Sequence, residues 1–323
     1  MRDTAILALE LSMQFRRRNA PASIIIHRRD ALKNTAATSE AKMFYRHRLP
    51  VRIMHWTNAL SFVVMLMTGL AIFNAHPSLY WGQASHFDTP LFNIGAVVGA
   101  NGELHGRTYI GKYKFNTDGV LGVSHVLDET APSSRAFPSW ATIPSRQSLA
   151  LARNWHFLFS WIFVLNGLAY IGYAIVSGHL RRNLLPTRAE LRAIGSSILQ
   201  HLRFYHPTGE AAKRYNVLQN LAYLVVIFGL LPLVVVAGFA LSPRLDALFD
   251  GGWVELLGGR QSARTLHFLA AFGLLTFLLI HLFEVIVTGL WNNLRSMITG
   301  NYRVPPDSTQ PQPQLKTNKE NTP

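Results

Sequence analysis

Four apolar runs, each close to the length of a membrane span, constrain this chain more than any other feature: residues 53–75, 154–177, 217–240 and 265–290. A helix needs about 20 apolar residues to cross the hydrocarbon core of a bilayer. Inside that core the backbone must satisfy its own hydrogen bonds, which a helix does. The expected fold is therefore an all-α membrane protein with four spanning helices. Composition agrees, since 49% of the 323 residues are hydrophobic and only 15% charged, a charge-poor balance for a soluble chain. The stretches Leu91–Ala100 and Ala5–Phe15 are too short to cross.

The basic residues set the expected topology. Of 31 Lys and Arg, eleven fall in the first 52 residues, seven between Gly178 and Asn216, and four from Arg295 onward, leaving nine for the other two loops. Positive charge concentrates on the cytoplasmic side of spans, so both termini are expected in the cytoplasm. The formal charge of +14 then describes membrane topology rather than a nucleic-acid partner, because the basic residues flank spans instead of lining one soluble face. Residues 1–45 read as a disordered cytoplasmic extension, 46–300 as the membrane domain and 301–323 as a disordered tail rich in Pro, Gln, Asn and Thr. The apolar stretch near residue 5 does not read as a signal peptide, since it contains Glu10 and precedes the arginine cluster.

Between the first two spans lies a loop over residues 76–152, placed outside the cytoplasm by this topology. Loops of that length are functional or disordered rather than mere connectors, and aromatic residues such as Tyr80, Trp81, Tyr109, Tyr113 and Trp140 argue against disorder. It reads as a docking surface, or as a cap over the helix ends. The Asn101-Gly102 turn and the alternating Arg107–Phe115 run predict a small hairpin. Gly106–Lys112 imitates a phosphate-binding loop, but Tyr113 stands where Ser or Thr would hold magnesium, and the match is discarded. Pro232 is expected to kink the third span.

The chain has no cysteine, which excludes disulfides, thiolate-ligated zinc, iron-sulfur clusters and covalently attached haem. Its chemistry must rest on other ligands. Four of the thirteen histidines, His55, His156, His267 and His281, lie inside expected spans, where ionisable side chains are costly and mark function by default. Each taken alone could equally be a helix-packing hydrogen-bonder. His267 and His281 are fourteen residues apart, which on a helix returns to within about 40° of the same face about 21 Å further along. One helix could thus serve two stacked cofactors. The span directions then pair His156 with His267 towards the outside and His55 with His281 towards the cytoplasm. Two axial imidazoles saturate an iron and favour electron transfer, whereas zinc needs three or four ligands at one depth. Arg52, Arg153 and Arg264 each precede one of these histidines by three residues, where a guanidinium could reach a haem propionate, although span-flanking arginines are common for topological reasons.

At these residues the sequence resembles a known family. Arg52-Ile53-Met54-His55-Trp56-Thr57 and the fourteen-residue spacing in the fourth span resemble the prokaryotic cytochrome b561 and nickel-hydrogenase cytochrome b family, which includes the cytochrome b subunit of formate dehydrogenase. The resemblance implies a four-helix di-haem bundle with two non-covalent haem b groups on His55, His156, His267 and His281, quinone as electron-transfer substrate, and a partner redox subunit. The long loop, with His76-Pro77-Ser78-Leu79-Tyr80-Trp81-Gly82, looks more like the thiosulfate reductase cytochrome b branch, which implies a molybdopterin enzyme as the outer partner. Polar residues near His281 and at the start of the third span, Glu284, Asn216, Gln219 and Asn220, are candidate quinone contacts or helix-packing groups. Rival readings are a stand-alone quinol-oxidising cytochrome, a membrane metal-binding or transport protein, and a structural anchor.

Overall fold

The computed structural model describes residues 43–125, 131–178, 192, 194–195 and 217–304. Helix α1 (Leu49–Phe73) begins with Pro50 in its first turn, where the missing N–H of proline costs no hydrogen bond. Helix α2 runs over Leu149–Val176. The third span is composite, with α3 (Val217–Val225), a π-helical turn (Val226–Leu230) and α4 (Leu231–Leu241). The short helices α5 (Pro243–Ala247) and α6 (Gly252–Leu256) lead into α7 (Arg260–Val287), and α8 (Leu290–Thr299) follows. Four helical stretches, Leu49–Phe73, Leu149–Val176, Asn220–Leu241 and Arg260–Val287, are long and apolar enough to cross a membrane, each within a few residues of its expected run.

The interruption expected at Pro232 takes the form of the π turn immediately before it. Proline cannot donate to the carbonyl four residues back and its ring crowds that carbonyl, and a wider turn relieves both. Helix α1 packs along α2, and α4 along α7. Small residues carry these contacts: Ala152, Ala237, Ala240 and Ala263 are fully buried, while Leu165, Leu168, Leu279 and Ile286 point outward. In a bilayer the lipid is as apolar as leucine, so close approach of small side chains, not burial of large ones, drives helix association.

The segment between α1 and α2 corrects the all-α expectation. Strands β2 (Ser78–Leu79), β3 (Phe92–Val98), β4 (Leu104–Ile110) and β5 (Tyr113–Asn116) form an antiparallel sheet in that order, and β6 (Gly122–Ser124) pairs with β7 (Ser133–Arg135). In place of one hairpin there are two in succession. The first turns through Gly102 with φ +80° and sets Val98 opposite Leu104, and the second turns through Gly111 and sets Ile110 opposite Tyr113. The apolar stretch too short to cross a membrane supplies β3, and the phosphate-loop look-alike supplies β4 in mid-sheet. Phe73, Leu79, Ile94, Ala136 and Phe137 form a buried cluster, with Phe268 and Phe272 of α7 packed against it. The sheet is thereby fixed to the ends of α1 and α7.

Hydrogen bonds tighten that attachment at the first turn of α7. The Gly82 carbonyl accepts from the Gln261 and Ser262 amides at 2.9 and 3.2 Å, and the Gly82 amide donates to Ser262 Oγ at 2.8 Å. Gly259, at φ +118°, sits so close that an added Cβ would lie 2.5 Å from the Gly82 carbonyl carbon. Backbone conformation and contact both demand glycine there. We expect Gly259→Ala to destabilise the protein by about 1–3 kcal/mol, read as a lower midpoint of thermal unfolding in detergent.

A separate unit contains β1 (Met43–Tyr45), paired antiparallel with β8 (Asn301–Arg303), with the Arg46 guanidinium 4.8 Å from the Tyr302 ring centre. These strands fall inside the two extensions expected to be disordered. The residues before 43 and after 304 lie outside those described.

Candidate functional site

The four intramembrane histidines meet in two pairs. The ring centres of His55 on α1 and His281 on α7 are 6.3 Å apart, and those of His156 on α2 and His267 on α7 are 6.2 Å apart. Fourteen residues of α7 separate the two meeting points, about 21 Å of helix. Among the described residues no three His, Asp or Glu side chains converge as a metal site would need.

The pair farther along α1, next to the sheet, is held with its ring tautomer defined. His156 Nδ1 lies 3.1 Å from the Met65 carbonyl, and His267 Nδ1 lies 2.9 Å from the Val234 carbonyl. A carbonyl can only accept, so each Nδ1 donates and each Nε2 keeps its lone pair for a metal. Each ring sits beside the glycine four positions on from its carbonyl. A Cβ built on Gly69 or Gly238 would lie 3.5 Å from Cε1 of His156 or His267. The first and third spans thus repeat one device, seen in the sequence as Thr68-Gly69-Leu70-Ala71 and Ala237-Gly238-Phe239-Ala240. The repeated Gly-x-Ala was the signal available for these positions. The carbonyls of Met65 and Val234, and the hydroxyl of Thr68 at 3.0 Å from His156 Nδ1, had none.

The other pair is backed differently. His55 Nδ1 is buried with no hydrogen-bond partner. The His281 ring stacks on Phe277 one turn earlier, 6.1 Å away with planes 16° apart. Trp56 contacts the His55 ring edge-on at 5.2 Å, and its indole N–H donates to the Met297 carbonyl on α8 at 3.1 Å.

The three arginines preceding these histidines differ in what they do. Arg264 donates to the Ser78 carbonyl at 3.0 Å and to the His76 carbonyl, with its guanidinium 5.6 Å from the Phe73 ring centre. It ties the sheet segment to α7. Arg52 donates to the Ile298 carbonyl, while its Nε is buried with no partner. Arg153 is exposed, with its guanidinium over the Phe157 ring at 5.7 Å. Above Arg264, His76 stacks on Tyr80, and burial, with Arg264 adding repulsion, holds its imidazole below the usual histidine value. His76 is therefore neutral at neutral pH.

Of the quinone candidates, Glu284 is half-buried three residues beyond His281, and Asn220 is buried with Oδ1 unpartnered. Asn216 and the side chain of Gln219 lie outside the described residues.

Residues 46–300 match the family of prokaryotic cytochrome b561. The chain belongs to that family. Haem b is the group this membership implies, and the paired imidazoles fit it. With metal–imidazole bonds of about 2 Å and roughly 1 Å more from each nitrogen to its ring centre, two rings on opposite sides of one iron stand about 6 Å apart. Two relatives are similar to this chain. One is the putative protein-methionine-sulfoxide reductase subunit YedZ1 of Azospira oryzae, 33% identical over 46% of this chain and 71% of its own length. The other is the probable Ni/Fe-hydrogenase B-type cytochrome subunit of Cupriavidus necator, 23% identical over 82% of this chain and 89% of its own length. No solved structure matches. The chain is thus a multi-pass membrane cytochrome b, a class whose members serve oxidoreductases as electron-transfer subunits.

Proposed function

We propose that this cytochrome binds two haem b groups, one between His55 and His281 and one between His156 and His267, and carries electrons between the membrane quinone pool and a redox partner docked outside the cytoplasm. The observation that carries this reading is the pair of ring separations, 6.3 and 6.2 Å, at two levels of one helix. Bound there, haem would supply one-electron oxidation and reduction of its iron. The chain's own residues do the rest. Held by two imidazoles at each site, the group would serve electron transfer rather than oxygen chemistry. The carbonyls of Met65 and Val234 fix the orientation and tautomer of His156 and His267. Arg52, with its unpartnered Nε, is the arginine best disposed to receive a propionate.

Quinone is placed towards the end of the bundle that carries His55 and His281. Asn220, whose unpartnered Oδ1 could accept from a quinol hydroxyl, and Glu284, which could take its proton, support that position. The distribution of Lys and Arg puts that end, with both termini, at the cytoplasmic face of an inner membrane. The segment between α1 and α2 then lies outside, and its exposed Trp81, Phe87 and Trp140 form a docking surface for the partner. Hydrogenase and methionine-sulfoxide reductase are the partner types named for the relatives, and a molybdopterin enzyme is the type implied by the loop sequence.

The protein purified after expression with ample haem supply should show reduced b-type absorption bands and a pyridine haemochrome content of two haems per chain. A colourless protein would overturn the reading, and one haem per chain would overturn the second site.

A further inference from the structure

The two helix hairpins present nearly the same cradle to His156 and His267, and they differ by one hydroxyl. In α1 the carbonyl at position 65 accepts from His156 Nδ1 and glycine follows at 69; in α4 the carbonyl at 234 accepts from His267 Nδ1 and glycine follows at 238. One residue before each glycine stands Thr68 in the first repeat and Ala237 in the second, both fully buried. Thr68 Oγ1 is 3.0 Å from His156 Nδ1, 2.8 Å from the Val64 carbonyl and 3.1 Å from the Met65 carbonyl.

Proton inventory assigns the roles. A hydroxyl has one proton and two lone pairs. Both carbonyls near Thr68 can only accept, so the hydroxyl proton goes to one of them, at the shorter distance to Val64. A lone pair is left facing the His156 Nδ1–H. That N–H therefore has two acceptors, Met65 O and Thr68 Oγ1, whereas His267 Nδ1–H has the Val234 carbonyl. Hydrogen bonding at the far nitrogen of a ligating imidazole raises its basicity and strengthens its bond to the more highly charged metal.

Resting on the di-haem reading, we infer that Thr68 is a positioning residue that, through His156, holds the haem between His156 and His267 at a lower midpoint potential than the carbonyl contacts alone would set. The hydroxyl is a tuning device built into one of two otherwise matching cradles. Thr68→Val removes it at nearly constant volume, Thr68→Ser keeps it, and Thr68→Ala gives the first repeat the residue the second already carries.

The test is a redox titration of the purified holoprotein followed by visible and low-temperature EPR spectra. Thr68→Val should increase the ratio of reduced to oxidised iron at fixed potential about three- to tenfold in one haem component, about 30–60 mV at 59 mV per tenfold for one electron. The other component should stay in place, and Thr68→Ser should titrate like the unaltered protein. If the valine variant does not accumulate, the alanine variant reads the same shift. Unmoved potentials in a protein that still carries two haems, equal movement of both components, or a serine variant that behaves like valine would overturn the role of Thr68 alone. An unaltered protein without two haem components would overturn the di-haem reading and this inference with it.

Discussion

Replacing His267 by Ala is expected to remove one haem, and replacing His281 by Ala the other, although the two side chains share one helix. His267 faces His156 and His281 faces His55, so each α7 histidine belongs to a different site. Haem content by pyridine haemochrome should fall from two to one per chain in each variant. The component that survives in His267→Ala should be lost in His281→Ala. The second half of the experiment is more demanding: His156→Ala should reproduce the spectrum and potentials of His267→Ala, and His55→Ala those of His281→Ala. If the two α7 variants lost the same component, or if His156→Ala matched His281→Ala, the pairing would be wrong. On the proposed di-haem reading, electron transfer from quinol to an external acceptor should fall by orders of magnitude in all four, because each would break a chain of two carriers.

Arg264→Met should loosen the attachment of the sheet to the bundle while leaving both proposed haems in place. The guanidinium donates to the carbonyls of His76 and Ser78 and lies over Phe73; removing it takes that donor from the Ser78 carbonyl, while the His76 carbonyl keeps the Ser78 amide at 2.9 Å. At about 1–3 kcal/mol for a buried polar group left unsatisfied, the loss is large enough to measure. It should appear as a lowered thermal midpoint and as faster proteolysis between α1 and α2. Retention of two haems with unshifted potentials is the expected spectroscopic result. Loss of the haem between His156 and His267 would show that Arg264 serves a propionate as well.

This division of labour among the arginines is where sequence reasoning reached its limit. An arginine precedes three of the four intramembrane histidines with the same Arg-x-x-His spacing, yet Arg264 clasps a loop, Arg153 points outward over Phe157, and Arg52 keeps an unpartnered buried Nε. Spacing along a helix fixes which face a side chain shares with its neighbour. It carries no information on which carbonyls another segment brings to that face.

The spans, the family and the four histidines were legible in the chain because each depends on a local property. Hydrocarbon thickness selects runs of about 20 apolar residues, and a helical repeat of 3.6 residues puts positions 267 and 281 near one face. The sheet between α1 and α2 was only partly legible. Asn101-Gly102 announced one turn, but the order β2-β3-β4-β5 and the seating of Phe73, Ile94 and Phe137 against Phe268 and Phe272 join residues far apart in sequence. Only the tertiary structure decided which ring faces which carbonyl, since the contacts of His156 with Met65 and Thr68, and of His267 with Val234, depend on the sliding and rotation of one helix against another. Those two freedoms are set by the close approach of small residues such as Ala237, Ala240 and Ala263, and apolar periodicity records neither.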